Sequence, residues 1–450
     1  MNRDAFESIG GGEAQIHGCD PVLASPFRVG EAAAGALAAG GVAAAEFWKL
    51  RGGRPQTVSV DARAAAASLL SFMFQRIEAA PQLTDRGVRA TTALYPARDG
   101  RWIHLHGGFP HLRDGTLAEL GCADDPDAVA AAVRERDAQE LEDALAARGM
   151  CGAMARTGDE WLAHPQGRAI AKLPPVEVIR IGDSSAERPR FASRPLEGLR
   201  VLDLTRVLAG PACARTLAEH GAEVLRIGGS HLPSIEPFVI DTGHGKRSAF
   251  VDLRDAEGAE TLRGLVRGAD VFSQGYRAGA LSRRGFGAEQ LAELRPGIVV
   301  VSINCYGHEG PWAGRPGWEQ LAQMASGIAV EQGAPGEPRL IPAAACDYVT
   351  GYLAACGVLR ALVRRATEGG SYHVRASLAQ TALWLRSLGR VDPADARALE
   401  REEIDALSTD SDTAWGRVRH LTPVTRMPET PPQWLQPPVP LGTHEARWSH

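Results

Sequence analysis

Asp347 lies in the run Ala343-Ala344-Ala345-Cys346-Asp347-Tyr348, where small apolar residues lead straight into an apolar helix. That helix is predicted over 348–359 and on to Arg364-Arg365, and Gly369-Gly370 stop it. A carboxylate in so apolar a setting is normally paired, capping or reactive. As an N-cap it would accept from free backbone N–H groups, worth about 0.5–2 kcal/mol. As the partner of a buried arginine it would be structural. As a nucleophile it could attack a carbonyl and form an anhydride without a general base, because a carboxylate is ionised at neutral pH. A helix N-terminus would hold that anion and offer N–H groups to an oxyanion. The residues alone leave the three roles open.

A second candidate is basic. Tyr276-Arg277-Ala278-Gly279-Ala280-Leu281-Ser282-Arg283-Arg284 puts three arginines and an aromatic ring on one loop. Gly245-Lys246-Arg247-Ser248 precedes a predicted strand at 250–253 that Arg254 closes. Cationic forks beside a ring suit a phosphorylated nucleotide. A solvated basic loop has the same composition. His104, His106 and His111 flank Gly107-Gly108, but their spacing fits no metal-binding helix or finger, and no metal is expected. There is no hydrolase elbow, Walker loop or G-x-G-x-x-G.

The acid and its helix occur twice. An offset of 347 − 31 = 316 places Glu31 on Asp347 and aligns Gly35 with Gly351, Leu37-Ala38-Ala39 with Leu353-Ala354-Ala355, and Gly41-Val42 with Gly357-Val358. Val58 then falls on Val374 without a gap. Only Asp347 has a long α/β segment ahead of it, so Glu31 is expected to be a relic without catalysis.

A proline- and charge-rich seam at 184–195 divides the chain. Before it come a strand at 57–60, a helix at 62–77, a hairpin over 92–105 with an Asp99-Gly100 turn, helices at 127–134 and 138–147, and a short strand at 176–181. After it, apolar strands at 199–204, 222–227, 270–272 and 297–303 alternate with helices. That alternation predicts a parallel sheet covered on both faces, with ligands at the carboxyl ends of its strands. The fold class is α/β: a Rossmann-like large domain plus a small α+β domain. The expected units are a partial repeat (1–90), the small domain (91–183), the linker (184–195), the large domain (196–390) and a proline-rich tail (391–450) lying extended over it.

With 450 residues, 49 basic and 54 acidic side chains and pI near 6.2, the chain offers no support for nucleic-acid or membrane-surface binding. Seven cysteines without a C-x-x-C pair suit reduced thiols, and no apolar run suggests a signal peptide or a span, so a cytoplasmic location is expected.

Taken in order, several motifs resemble the class III CoA-transferases, the CaiB/BaiF group that includes formyl-CoA and carnitine-type transferases. They are Gly198-Leu199-Arg200-Val201-Leu202-Asp203-Leu204 with Val207-Leu208-Ala209-Gly210-Pro211, Gly221-Ala222-Glu223-Val224-Leu225-Arg226-Ile227, Lys246-Arg247-Ser248, Tyr276-Arg277, Tyr306-Gly307, and Cys346-Asp347-Tyr348. The resemblance implies transfer of CoA between an acyl-CoA and a small carboxylic acid through acyl-aspartyl and aspartyl-CoA intermediates, with Asp347 as nucleophile. It places CoA contacts on Val207, Leu208, Ala209, Val251, Arg254, Tyr276, Arg283 and Arg284. CoA enters as substrate, no resident cofactor is implied, and a homodimer is expected. Segments 94–105 and 138–166, the latter with the motif at 157–166, resemble the family's small domain, which here precedes the catalytic half instead of following it. Gly228-Gly229 stand where relatives carry an acid and a base, and Gly275 stands for an asparagine. An acyl-CoA racemase is disfavoured because Trp318-Glu319 occupies the place of its His-Asp pair, and tryptophan is no base. A CoA-binding or partner-subunit protein without turnover is the remaining alternative.

Overall fold

Strands with unbroken apolar runs need cover on both faces, and the helices between them supply it. The computed structural model describes residues 4–78 and 89–449. The first three residues of the N-terminal unit, and 79–88 near its end, lie outside that description.

Seven strands form the main sheet: β1 (Val176–Gly182), β2 (Arg200–Leu204), β3 (Glu223–Gly228), β4 (Lys246–Phe250), β5 (Val271–Gln274), β6 (Val299–Asn304) and β7 (Ser371–Ser377). Their order is β4-β3-β2-β5-β6-β7-β1. All neighbours run parallel except β1 and β7. Winding reverses between β2 and β5, so the loops after these two strands diverge and leave a crevice.

Two strands differ from expectation. The 176–181 segment does not stay with the small unit. It crosses to the large sheet as the antiparallel edge strand β1, where Val178 faces Val374. β4 begins at Lys246, four residues early, because that lysine is drawn into the core to pair with Asp203. The strand cannot continue to 253, since Asp252 Oδ1 accepts from the Arg254 N–H and turns the chain.

The N-terminal unit repeats part of this architecture. The Val29–Leu50 helix packs alongside the Ala345–Glu368 helix. Gln15–His17 and Ser59–Asp61 pair parallel, and Ser59 bridges antiparallel to Arg426. β6, β7 and β1 have the same arrangement. Equivalent glycines make the same close approach: a Cβ on Gly41 would lie 2.7 Å from Val58 Cγ1, and one on Gly357 would lie 2.7 Å from Val374 Cγ1. Asp61 and Ser377, again 316 apart, each cap the following helix through a side-chain oxygen. The expected 62–77 helix is broken into Ala62–Ser68 and Ser71–Phe74, with Arg76–Ile77 in a strand. Ser68 Oγ bonds back to the Ala65 carbonyl at the first break.

The small unit is a three-stranded antiparallel sheet, Thr92–Pro96, Trp102–His106 and Gly152–Met154, backed by helices. The tail is not extended throughout 391–450 as expected: its prolines cluster past 421, and before them Arg401–Ala406 is helical while Ser408–Thr413 and Gly416–Leu421 form a hairpin that pairs with Arg76–Ile77. Beyond it the chain runs extended over the large sheet, where Trp434 donates to the Arg215 carbonyl and Trp448 to that of Leu265. The Ala345–Glu368 helix is long and apolar enough by composition to cross a bilayer, but it is almost wholly enclosed by protein.

Glycine substitutions test this packing. Gly357→Ala forces a methyl against Val374 and Val176 and is expected to lower the unfolding free energy by about 1–3 kcal/mol. Gly264→Ala, in the Ala256–Arg267 helix with nothing within 4 Å, should raise it by about 0.5–1 kcal/mol. Urea titrations of both variants measure the difference.

Candidate active site

The Ala345–Glu368 helix starts with no side-chain cap of its own: Ala344 is the N-cap, and Asp347 is already inside the first turn. Its free N–H groups are bonded from a distance. Glu319 heads the Glu319–Ser326 helix and is buried. Its carboxylate accepts from the N–H of Cys346 at 3.0 Å and of Asp347 at 2.5 Å. Gln323 Nε2 donates to it as well, at 2.6 Å, and Gln323 Oε1 accepts from Ile341 N–H. Glu319 therefore caps the helix, and the Asp347 carboxyl is released from that duty.

Among the described residues nothing donates a hydrogen bond to the Asp347 carboxyl and no cation pairs with it. It is neither a cap nor half of an ion pair, which removes two of its three possible roles. Burial, and then repulsion from Glu319, hold its pKa well above the ordinary carboxylate value. Glu319 is also raised by burial, but three donors oppose that shift. Of the two acids, Glu319 keeps the charge more readily and Asp347 keeps the proton.

Asp347 stands where two cavities meet. One, about 580 Å³, follows the crevice between the β2 and β5 loops past Arg206, Gly275, Tyr276 and Arg277. The other, about 980 Å³, is walled by Phe72, Met73, Ile235, Phe238 and Leu340, with Arg89 and His106 as polar members. Phe109, Val207, Leu208, Trp318 and Asp347 belong to both walls. Trp318 is held in place by stacking on His106, ring centroids 4.2 Å apart, and by an edge contact with Phe109. Val207 has φ +70°, which makes it the one positive-φ non-glycine residue among those described. A β-branched residue in that region stores strain, and such strain gathers at binding loops.

The expected CoA contacts divide into two groups. Val207, Leu208, Ala209 and Tyr276 line the crevice cavity. Val251, Arg254, Arg283 and Arg284 lie outside both cavities. Val251 is buried in the core, Arg254 turns onto Asp252, and Arg284 bonds the Leu253 carbonyl. Lys246 is buried with its ammonium on Asp203 at 2.8 Å and on the Pro211 carbonyl at 2.7 Å, so it braces β4 against β2. Sequence reasoning gave no role to Arg206, Arg226 or the cap formed by Glu319. Arg206 could have been suspected from its place between the β2 strand and Val207. Glu319 reaches Asp347 across 28 residues and left no local signal.

His104 and His106 are buried, and burial drags their pKa values down to about 4 and about 3. Burial disfavours the charged ring in both, and only His106 lines a cavity. Among the described residues no three His, Cys, Asp or Glu side chains gather as a metal site. Glu31 repeats the Asp347 setting with one change. The Asp20 carboxylate accepts from the Gly30 and Glu31 N–H groups at 3.1 and 2.8 Å, as Glu319 does for Cys346 and Asp347. The Glu31 carboxylate, however, is locked by Arg28 at 3.0 Å.

Comparison with known sequences gives the family. The model of CoA-transferase family III matches residues 5–177 and again 196–392. The chain belongs to CoA-transferase family III. An acyl-CoA transferase of Gibberella moniliformis is 32% identical over 427 residues, covering 80% of this chain and 74% of that protein. The acetyl-coenzyme A transferase nodX of Hypoxylon pulicicidum is 34% identical over 330 residues, 67% of this chain and 55% of that one. The succinate–glutarate CoA-transferase of Agrobacterium fabrum is 32% identical over 203 residues, 41% and 51% of the two chains. The chain thus spans about half the length of the last two relatives. A crystal structure of Rv3272 from Mycobacterium tuberculosis aligns with TM-score 0.41 at 28% identity, over 43% of this chain and 58% of that one.

The raised pKa of Asp347 makes stability depend on pH. Its favourable contribution is complete below the unfolded carboxylate value, about 3.9, and is lost as pH rises through the higher folded value. Asp347→Asn lacks that loss. The variant should therefore gain stability over the parent as pH increases, with a wider gap in melting temperature at pH 8 than at pH 4.5. A gap that does not change with pH would mean that Asp347 titrates as an exposed acid does.

Proposed function

We propose that this member of CoA-transferase family III moves CoA from an acyl thioester to a free carboxylic acid, with Asp347 as the nucleophile. The position of the Asp347 carboxyl, unbonded at the junction of two cavities, carries the reading. CoA enters along the crevice cavity past Val207, Leu208, Ala209 and Tyr276. Arg254, Arg283 and Arg284, outside that cavity, take its nucleotide end, and Val251 packs in the core behind them. The acyl group and the acceptor acid occupy the larger, apolar-walled cavity in turn. Relatives that are CoA-transferases by name support the general activity.

The steps balance without an external reagent. Ionised Asp347 attacks the thioester carbonyl and the CoA thiolate departs, leaving an acyl-aspartyl anhydride. The thiolate then attacks the aspartyl carbonyl, freeing the donor acid and leaving an aspartyl-CoA thioester. The acceptor carboxylate attacks that thioester, and the returning thiolate takes the acceptor acyl group and restores Asp347. The first step needs Asp347 without its proton. Burial and Glu319 make that form the minor one, so the proton passes to water in the cavities before the attack, and acylation should quicken as pH rises. Glu319 fixes the first turn so that the nucleophile keeps its aim, a positioning role rather than a chemical one.

Two experiments test this. Incubation with acyl-CoA and hydroxylamine should trap a hydroxamate on Asp347, read by peptide mass spectrometry, and an adduct confined to another residue defeats the assignment. Asp347→Asn should lower kcat by roughly 10³-fold or more while the fold persists. Glu31→Gln, in the locked repeat, should stay within about twofold of the parent rate.

A further inference from the structure

Beside the crevice, the β2 and β3 ends enclose a small recess shared by Arg206, Arg226, Gly228 and Ser248. Its volume is about 30 Å³. That is room for about two water-sized groups, and it excludes a base or a sugar. Arg226 is 7% exposed and lies on β3, yet among the described residues its guanidinium makes no hydrogen bond and no ion pair. Arg206 donates only to the neutral Pro233 carbonyl and stacks over Phe109 at 4.5 Å.

Charge in this region does not cancel. Asp203 is the nearby acid, but its oxygens are already taken by Lys246 and by the Thr205 N–H and hydroxyl. Glu236, across the neighbouring cavity, is bonded to Trp415. No acid stands at Gly228 or Gly229, and a Cβ on Gly228 would meet nothing closer than Phe250 at 3.9 Å. Two guanidinium groups are left facing a recess without a counter-ion. Burying such ions unpaired is costly unless an anion completes the site. Burial pulls the Arg226 pKa down, and Arg206 adds repulsion, against the opposing pull of Asp203.

We propose that Arg226 and Arg206 form a buried seat for one phosphate group of the CoA substrate, with Arg226 as the specificity-determining member. The seat rests on the CoA reading above. It assigns the recess that opens beside Val207 to two phosphoryl oxygens, while the rest of the ligand follows the crevice. Guanidinium forks match that geometry through paired N–H donors. The seat also accounts for the absence of a basic side chain after β3, since the charge is supplied from within the strand.

Titration calorimetry tests the proposal with CoA, 3′-dephospho-CoA and pyrophosphate as probes. Arg226→Met keeps the bulk and removes the charge, and it should weaken CoA binding at least tenfold. Arg226→Lys, a single-point cation that burial inclines to lose its proton, should recover part of that loss at pH 6 and less at pH 9, a pH dependence that a purely packing role would not give. An equal loss for CoA and 3′-dephospho-CoA assigns the seat to the diphosphate, and a loss confined to CoA assigns it to the 3′-phosphate. The ratio of kcat/KM for an acyl-CoA to that for the acyl-pantetheine should fall in parallel. If Arg226→Met binds CoA as the parent does, the seat is overturned and the CoA reading stands. If the parent ignores CoA but is stabilised by pyrophosphate through Arg226, the seat stands and the CoA reading falls.

Discussion

A helix beginning inside a protein has N–H groups that water cannot reach, and something must accept from them. In this chain the acceptor is the buried carboxylate of Glu319, which takes the Cys346 and Asp347 N–H groups at once. The rest of the site follows from that bond. Had Asp347 served as its own cap, its oxygens would have been spent on the backbone. With the task delegated, the carboxyl projects free into the junction of two cavities, at the cost of holding two buried acids close together. That cost appears as the upward pKa shift of Asp347.

The same solution occurs a second time, without the freedom. Asp20 accepts from Gly30 and Glu31 as Glu319 does from Cys346 and Asp347, and the glycine–valine approaches of the two helices match. Two differences separate the copies. The first has only a two-stranded parallel pair in place of the full sheet, and its acid is closed by Arg28. Packing has retained the helix as a partner for the Asp347 helix, while the crevice that would give its acid a ligand is missing. The duplicated unit therefore contributes core, and only the second copy leaves its acid unpaired beside a cavity.

Charge management within the sheet divides the basic residues by burial. Lys246 is spent on Asp203 beneath the strand ends. Removal of either partner would leave a buried unpaired charge, the costly case for such pairs. Arg206 and Arg226, one layer nearer the crevice, have no such partner. Arginine retains its charge where lysine loses it, and burial has already lowered Lys246 to about 8. A cation that must wait unpaired for an anion is therefore better built from arginine.

Much of this was legible in the residues. Continuous apolar strands separated by helices specified a parallel sheet, because such strands must be covered on both faces, and the offset of 316 exposed the repeat, because each glycine had to accommodate its valine. The ordered motifs around Asp347 identified the family. Tertiary structure alone decided three other matters. The segment at 176–181 joined the large sheet since edge pairing depends on what lies beside it in space, which no local pattern encodes. Lys246 became a buried strut because Asp203 waits 43 residues away. The role of Asp347 was settled between cap, partner and free acid by Glu319, distant in sequence and adjacent in the fold. Local physics sets which conformations a segment can take; which polar group meets which is decided only when the segments pack.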